Sequence, residues 1–171
     1  MICPSCGYDN LPGHDECAEC QASLMQEDQP QPDTPLRRQV MVDPISTLEA
    51  SSVELQTAPT GTSLSEAIRK MQEKNVGYLL ITDPQGKLAG IFTERDVLDR
   101  IAGQIEDLAA YRVDAFMTPN PTTLSASEPI RHALHFMGLD DLTYIPLVDD
   151  EGRPQDLLSV RRVTRLIEQM E

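Results

Sequence analysis

The sequence predicts a mixed α/β (α+β) protein in which one supersecondary unit occurs twice, as a tandem pair with pseudo-two-fold symmetry, behind a small cysteine-rich segment. Three observations indicate this architecture. Residues 67–97 can be written over residues 133–163 without a gap. Apolar strands and amphipathic helices alternate in the same order within both copies. All four cysteines of the 171-residue chain lie in its first 20 residues.

The internal repeat keeps residue identity in helices, strands and turns alike. The identical pairs include Ala67/Ala133, Met71/Met137, Tyr78/Tyr144, Asp83/Asp149, Gly86/Gly152, Arg95/Arg161 and Val97/Val163. Self-similarity at a fixed spacing indicates a unit that is made twice and that buries its apolar face only when the copies pack together. We therefore expect two similar halves that share one core.

Each copy follows the order strand, helix, strand, strand, helix. In the first copy the alternation over residues 53–57 predicts a strand, and residues 62–66 predict a helix start with Glu66 in the first turn. Apolar residues at helical spacing mark its buried face: Leu64, Ala67, Ile68 and Met71. A strand over 78–82, a turn over 83–86, a strand over 88–92 and a helix from Thr93 follow.

The second copy repeats this order with a shorter entry. The predicted strands cover residues 121–124, 144–148 and 155–158, and a helix starts at Glu128-Pro129 with proline in its first turn. The predicted buried face of that helix is Ile130, Ala133, Leu134 and Met137. The last helix is expected to bury Val160, Val163, Leu166, Ile167 and Met170.

Charge and composition exclude several classes of protein. The net charge is −14, of which −6 falls on residues 1–44, so no broad basic surface is available for nucleic acid or anionic lipid. No apolar run approaches the roughly 18 residues of a membrane span, and no basic leader precedes the cysteines. We therefore expect a cytoplasmic protein that binds neither nucleic acid nor membrane.

The cysteines form two C-x2-C pairs, Cys3/Cys6 and Cys17/Cys20. Two tight turns that each present two thiolates can close a tetrahedral metal shell, and the segment resembles a short zinc ribbon over residues 1–24. Zinc is the predicted ion; iron in a rubredoxin-like redox site is the alternative, since sulfur tetrahedra accept both metals. Two disulfides are the remaining alternative for these cysteines.

The chain divides into four predicted parts. The ribbon covers residues 1–24, and a linker over residues 25–44 contains four prolines and no apolar period. The first repeat covers residues 45–110 and the second covers residues 111–171.

Both copies closely resemble a cystathionine-β-synthase (CBS) domain. The resemblance rests on Tyr78–Asp96, on Tyr144–Arg153 and on the Met-Thr-Pro-Asn-Pro entry at residues 117–121. It implies a pseudo-two-fold module whose clefts bind adenosine-containing ligands such as AMP, ADP, ATP or S-adenosylmethionine. It also implies a homodimer that regulates an attached or partner protein and is not itself an enzyme.

The resemblance also implies which residues contact the ligand. In the motif Gly-Ile-Phe-Thr-Glu-Arg-Asp, Asp96 is expected to accept both ribose hydroxyls and Thr93 to bind phosphate, with Arg95 beside them. The adenine pocket is implied by residues ahead of the first and second strands of the second copy: Met117, Thr122, Leu142, Thr143 and Tyr144. An alternative remains for Thr93 and Asp96, since the same four residues also form a helix capping box.

The second copy departs from the family pattern. Arg162 stands where a ribose-binding carboxylate is expected, and Asp156 stands where glycine is expected. Arginine cannot accept a hydrogen bond, so ribose recognition should fail there, and Arg162 either assists phosphate at the first site or pairs with surface acids. His132 and His135 lie three residues apart on a helix without a nearby nucleophile, so we expect no catalytic site.

Three functional hypotheses follow from these observations. The first is a regulatory module that binds an adenine nucleotide and uses the zinc ribbon to dock an unidentified protein partner. The second is an iron redox protein carried on a CBS scaffold. The third is a structural adaptor whose clefts bind nothing.

Overall fold

The computed structural model describes residues 2–3, 8–11, 14–24, 40, 42–48 and 54–168, the side chains of residues 166–168 excepted. The predictions made for Cys6, for most of the linker, for residue 53 and for Met170 lie outside these residues. The chain divides into two compact units. The sheet unit contains residues 51–124 and 145–157, and the terminal unit contains residues 1–50, 125–144 and 158–171.

The sheet unit is built on a four-stranded sheet of order β1-β2-β3-β4. Its strands are β1 (Thr57–Pro59), β2 (Tyr78–Thr82), β3 (Leu88–Thr93) and β4 (Thr118–Pro119). β1 is parallel to β2, whereas β2–β3 and β3–β4 are antiparallel. β2 matches the predicted residues. The first strand, predicted over residues 53–57, instead begins at Thr57 and runs to Pro59, because pairing with β2 starts at Thr57.

Helix α1 (Leu64–Lys74) packs its apolar face into the core of the sheet unit. The Ser63 side chain caps the start of the helix by accepting a hydrogen bond from the amide of Glu66. Asn75 ends the helix in the left-handed conformation, with φ 52°. Leu64, Ala67 and Met71 are buried, which confirms the predicted helical face. They pack with Leu79, Ile81 and Phe92.

A tight turn joins β2 to β3 and a second helix follows directly. Asp83 Oδ1 accepts the amides of Gln85 and Lys87, and Gly86 takes the positive φ of 81° that closes the turn. Helix α2 (Glu94–Arg100) begins at the predicted residue, with Thr93 as its N-cap. The second copy repeats the turn at Asp149, which accepts the amides of Glu151 and Arg153.

The second copy supplies helices α3 (Ile130–Leu139) and α4 (Val160–Glu168) and a two-stranded sheet of β5 (Tyr144–Val148) and β6 (Pro154–Ser159). The predicted strand over residues 121–124 is reduced to one parallel bridge between Leu124 and Leu147. Proline at 129 is the N-cap of α3, before its first turn, and the amide of Ile130 is satisfied by the Asp43 carbonyl.

The buried faces of these two helices differ in part from the prediction. Ile130 and Ala133 are buried, but Leu134 is 37% exposed and His132 is buried in its place. Nδ1 of His132 lies 3.0 Å from Glu128 Oε2, and this pairing allows a polar ring to occupy the buried side. In α4, Val163 is buried as predicted, whereas Val160 is 40% exposed. Within the described part of the chain, the helices are too short and too polar to span a bilayer.

Candidate functional site

Three of the four predicted metal ligands converge within the first 20 residues. The sulfurs of Cys3, Cys17 and Cys20 lie within 4.8 Å of one another, and the Cys3 and Cys20 sulfurs are 3.6 Å apart. A tetrahedron with bonds near 2.3 Å places its sulfurs about 3.8 Å apart, whereas a disulfide needs about 2.05 Å. The separation of Cys3 and Cys20 therefore fits two ligands of one ion and excludes a disulfide between them. Cys6 lies outside the described residues.

We call the segments around Cys3 and around Cys17 the two knuckles, and a backbone hydrogen bond holds each of them. The amide of Cys3 donates to the Tyr8 carbonyl and the amide of Cys17 donates to the Ala22 carbonyl, each at 2.8 Å. Cys3 and Cys17 are buried, and Leu24 packs against them.

Asn10 connects the two knuckles, and the sequence analysis did not single it out. Its side chain is 4% exposed; Nδ2 donates to the Tyr8 carbonyl at 3.0 Å and to Cys17 Sγ at 3.5 Å. Oδ1 accepts the amide of Ala18 at 2.9 Å. An amide donor beside a thiolate disperses its negative charge, which is how outer-shell groups support metal ligands.

A cationic residue lies near this cluster within the terminal unit. Burial lowers the pKa of Arg131 from its ordinary value, and the charge of the Cys3 thiolate opposes that shift. A four-thiolate centre with a divalent ion would carry two negative charges, which a nearby guanidinium would partly compensate.

Thr93 and Asp96 are brought together at the start of α2, in the sheet unit. Oδ2 of Asp96 accepts both the amide and the hydroxyl of Thr93, each at 2.8 Å, and the Asp96 amide donates to Thr93 Oγ1 at 3.4 Å. This is the capping box that the sequence analysis left as an alternative. The second carboxylate oxygen, Oδ1, lies 3.9 Å from Arg100 Nη1, beyond hydrogen-bond length. It keeps its capacity to accept hydrogen bonds, so capping and ligand binding are compatible. Arg95, the next candidate, is exposed.

Met117 lies beside the strand that leads to Thr93. A Cβ added to Gly90 would come within 2.9 Å of Met117 Cγ and of the Thr118 carbonyl oxygen, so only glycine permits this close approach. β3 then pairs with β4, with Ile91 opposite Thr118. Thr122 follows in the same unit and is half-buried.

The remaining candidates belong to the terminal unit. Leu142 and Tyr144 are half-buried and Thr143 is exposed. The Thr143 carbonyl accepts the amide of Val160 at 3.1 Å, which fixes the chain ahead of β5 to the start of α4. Arg162 is half-buried and its Nη2 donates to the Leu48 carbonyl at 3.3 Å.

The start of α4 lacks the carboxylate of its counterpart. Ser159 accepts the amide of Arg162 at 3.3 Å, in the way that Thr93 accepts the amide of Asp96. The hydroxyl cap is thus common to both copies, and a carboxylate at the third position of the helix belongs to the first copy alone.

Tyr78 and Gln56 form a further polar group in the sheet unit that the sequence analysis did not assign to a site. Burial raises the pKa of Tyr78 above its ordinary value of 10.0, a hydrogen bond with the Gln56 backbone opposes the rise, and the charge of Asp156 adds to it. Gln56 itself is buried. The repeat contained a signal for this position, because Tyr78 falls on the candidate Tyr144.

Comparison with known proteins identifies the family. The model of the CBS domain family matches residues 38–103 and residues 113–169. The chain belongs to the CBS domain family. The predicted fold class, a mixed α/β tandem CBS pair, is confirmed.

Two relatives match this chain over part of their own length. Homoserine O-acetyltransferase of Methanohalobium evestigatum is 30% identical over 116 residues, which are 68% of this chain and 23% of that protein. Arabinose 5-phosphate isomerase KdsD of Pseudomonas aeruginosa is 33% identical over 105 residues, which are 61% of this chain and 32% of that protein. The chain thus spans a third or less of these two relatives.

A solved CBS pair covers the same region. The CBS domain pair of protein MJ0100, in complex with 5′-methylthioadenosine and S-adenosyl-L-methionine, superposes with a TM-score of 0.66 and 25% identity. The match covers 76% of this chain and 99% of that one. The resemblance stated from the sequence is therefore correct for the CBS pair.

Proposed function

We propose that this chain is a regulatory CBS module that binds one adenosine-containing ligand, with Asp96 on the ribose and Thr93 near a phosphate or other 5′ group. The observation that carries the proposal is the half-satisfied carboxylate of Asp96. Thr93 holds one oxygen, so the side chain is oriented, and the second oxygen retains its acceptor capacity. A fixed carboxylate oxygen is suited to the vicinal hydroxyls of a ribose.

Two further facts support an adenosine ligand. Both ligands of the MJ0100 domain pair contain adenosine. Arg162 replaces the carboxylate in the second copy, which favours a single ribose site per chain. Met117 and Thr122 remain proposed base contacts of this site, and Arg95 a proposed neighbour of it. The base contacts expected at Leu142, Thr143 and Tyr144 and the phosphate contact expected at Arg162 stay predictions from the sequence.

Calorimetry after a thermal-shift panel tests this site. The panel consists of AMP, ADP, ATP, NAD, S-adenosylmethionine and 5′-methylthioadenosine, since a specific ligand raises the melting temperature by mass action. We expect one site per chain, and Asp96→Asn should weaken binding about ten- to a hundredfold, the cost of losing a charged acceptor. Asp99→Asn is the control. It removes the same charge from an exposed position of α2 and should bind the ligand as tightly as the wild-type chain does. Two equal sites, or unaltered affinity in Asp96→Asn, would contradict the proposal.

We also infer that residues 1–24 hold one zinc ion through Cys3, Cys6, Cys17 and Cys20, and that this ribbon is a docking element for a protein partner. The convergence of three sulfurs supports a closed structural site, because a complete thiolate shell leaves no position for substrate. Thiolate ligands also suit a reducing compartment, in keeping with a cytoplasmic location. The proposed boundaries remain 1–24, 25–44, 45–110 and 111–171.

Elemental analysis of the purified chain decides the metal. We expect one zinc per chain and its loss in Cys20→Ser. A coloured protein containing iron would support the redox alternative, and a metal-free chain would refute the ribbon assignment.

A further inference from the structure

Arg100, the last residue of α2, links that helix to the segment that precedes the second copy. Nη1 donates to the Phe116 carbonyl at 2.6 Å and Nη2 donates to the Ala115 carbonyl at 3.2 Å. The guanidinium carbon also lies 5.5 Å from the centre of the Phe116 ring. One planar group therefore binds two successive carbonyls and an aromatic face, a combination that lysine cannot reproduce.

The same guanidinium faces the carboxylate proposed to bind ribose. Its Nη1 lies 3.9 Å from Asp96 Oδ1, and the Asp96 side chain is only 13% exposed. Thr93 fixes the other oxygen of this carboxylate. The charge of Arg100 thus lies on the side of Asp96 that is left to accept hydrogen bonds.

The carbonyls bound by Arg100 directly precede Met117, a proposed base contact. The amides of Phe116 and Met117 both donate to the Val113 carbonyl at 2.9 Å, so residues 113–117 form a compact turn. Met117 then packs against Gly90 in β3. Arg100 therefore contacts both parts of the proposed adenosine site: the ribose acceptor and the segment that places Met117.

We propose that Arg100 is a positioning residue of the adenosine site, which sets the distance and orientation of Asp96 relative to Met117. The inference rests on the proposed function. Arg100 acts through these two groups and does not itself touch the ligand. A purely structural role, as a cation at the C-terminal end of a helix, would stabilise α2 without favouring ribose hydroxyls.

The test measures how much the ribose hydroxyls contribute to binding. Adenosine and 2′,3′-dideoxyadenosine are titrated into the full chain and into Arg100→Met and Arg100→Lys. Arg100→Met should weaken the binding of adenosine about five- to twentyfold and the binding of dideoxyadenosine much less. The preference for the hydroxylated ligand should therefore fall. Arg100→Lys keeps the charge and should restore part of that preference. Arg69→Met is the matched control, because Arg69 also pairs with a carboxylate four residues away, Glu73 at 3.6 Å, but lies exposed on α1.

A double-mutant cycle with Asp96→Asn completes the test. If Arg100 acts through Asp96, Arg100→Met should have little further effect on adenosine affinity in the Asp96→Asn background. Fully additive effects, or equal losses for the two ligands, would overturn the inference even if the wild-type chain binds adenosine well. A wild-type chain that binds no ligand of the panel would overturn the proposed function, and the inference with it.

Discussion

Asp96 combines a structural and a proposed recognition role in one side chain. Its Oδ2 closes the capping box of α2, and its Oδ1 is the proposed ribose acceptor. Replacement by alanine removes both roles, and loss of a cap alone costs about 0.5–2 kcal/mol of stability. Asparagine retains an acceptor for the Thr93 amide and loses the charge, so it separates recognition from folding.

Asn10 is expected to govern how tightly the ribbon retains its metal. Asn10→Ala removes the donor to Cys17 Sγ and the bonds to both knuckles, and should weaken zinc binding about tenfold or more, as loss of outer-shell partners does elsewhere. Asn10→Asp keeps the acceptor for the Ala18 amide but places a carboxylate beside the thiolates. It should therefore weaken zinc binding more than Asn10→Ala does. Competition with a chromophoric chelator measures this.

Glu19→Gln serves as the control for the ribbon, since Glu19 is exposed beside Cys20. It should retain zinc as the wild-type chain does. Equal retention by Asn10→Ala and wild type would show that Asn10 is not part of the metal site.

The turn of the second copy contains a carboxyl group with a lowered pKa. The hydrogen bond from the Arg153 amide is the main cause that lowers the pKa of Asp149 below its ordinary value of 3.8, and burial opposes it. The Glu151 amide, the charge of Arg153 and the Gln155 side chain lower the pKa further. A lowered folded-state pKa stabilises the protein above the ordinary value, and that stabilisation is lost as the pH falls through the lowered one.

Asp149→Asn should therefore lower the urea midpoint at neutral pH, and the deficit relative to wild type should shrink at about pH 3 and below. Asp150→Asn, in the same turn and exposed, should change the midpoint little at either pH. A deficit that does not change with pH would exclude the charge of Asp149 as its cause.

Buried polar groups limit what helix periodicity can predict at the level of elements. The apolar pattern of α3 correctly placed Ile130 and Ala133, but it assigned Leu134 to a side that is partly exposed. His132 is buried instead, and one of its ring nitrogens, Nδ1, pairs with Glu128 four residues earlier. Periodicity counts apolar residues and takes no account of such pairs.

At the scale of the whole molecule we propose a homodimer formed through helices of the CBS pair. Leu98 in α2 is 69% exposed and Leu139 in α3 is 62% exposed, so helices of the pair present apolar residues that a second copy would cover. Leu98→Glu should shift the full chain toward monomer in sedimentation at micromolar concentration, since a charge would enter the apolar interface. Leu11→Glu alters an equally exposed leucine, at 72%, in the ribbon and should leave the dimer intact. Monomeric sedimentation of the wild-type chain would contradict the proposal.

Features that depend on near neighbours along the chain could be predicted from the sequence. The hydroxyl caps at Thr93 and Ser159 and the aspartate turns rest on hydrogen bonds between residues two to four positions apart. The order of strands and helices followed from the periodicity of apolar residues. The internal repeat also led to the family, because a repeat can be recognised in a sequence without knowledge of any contact in the structure. Other features became known only from the folded structure. They are the Asp96 oxygen that can still accept a hydrogen bond, the bonds of Arg100 to two carbonyls 15 and 16 residues away, and the link that Asn10 makes between the knuckles. Such contacts depend on how loops return to the core, and neither propensity nor periodicity encodes that path.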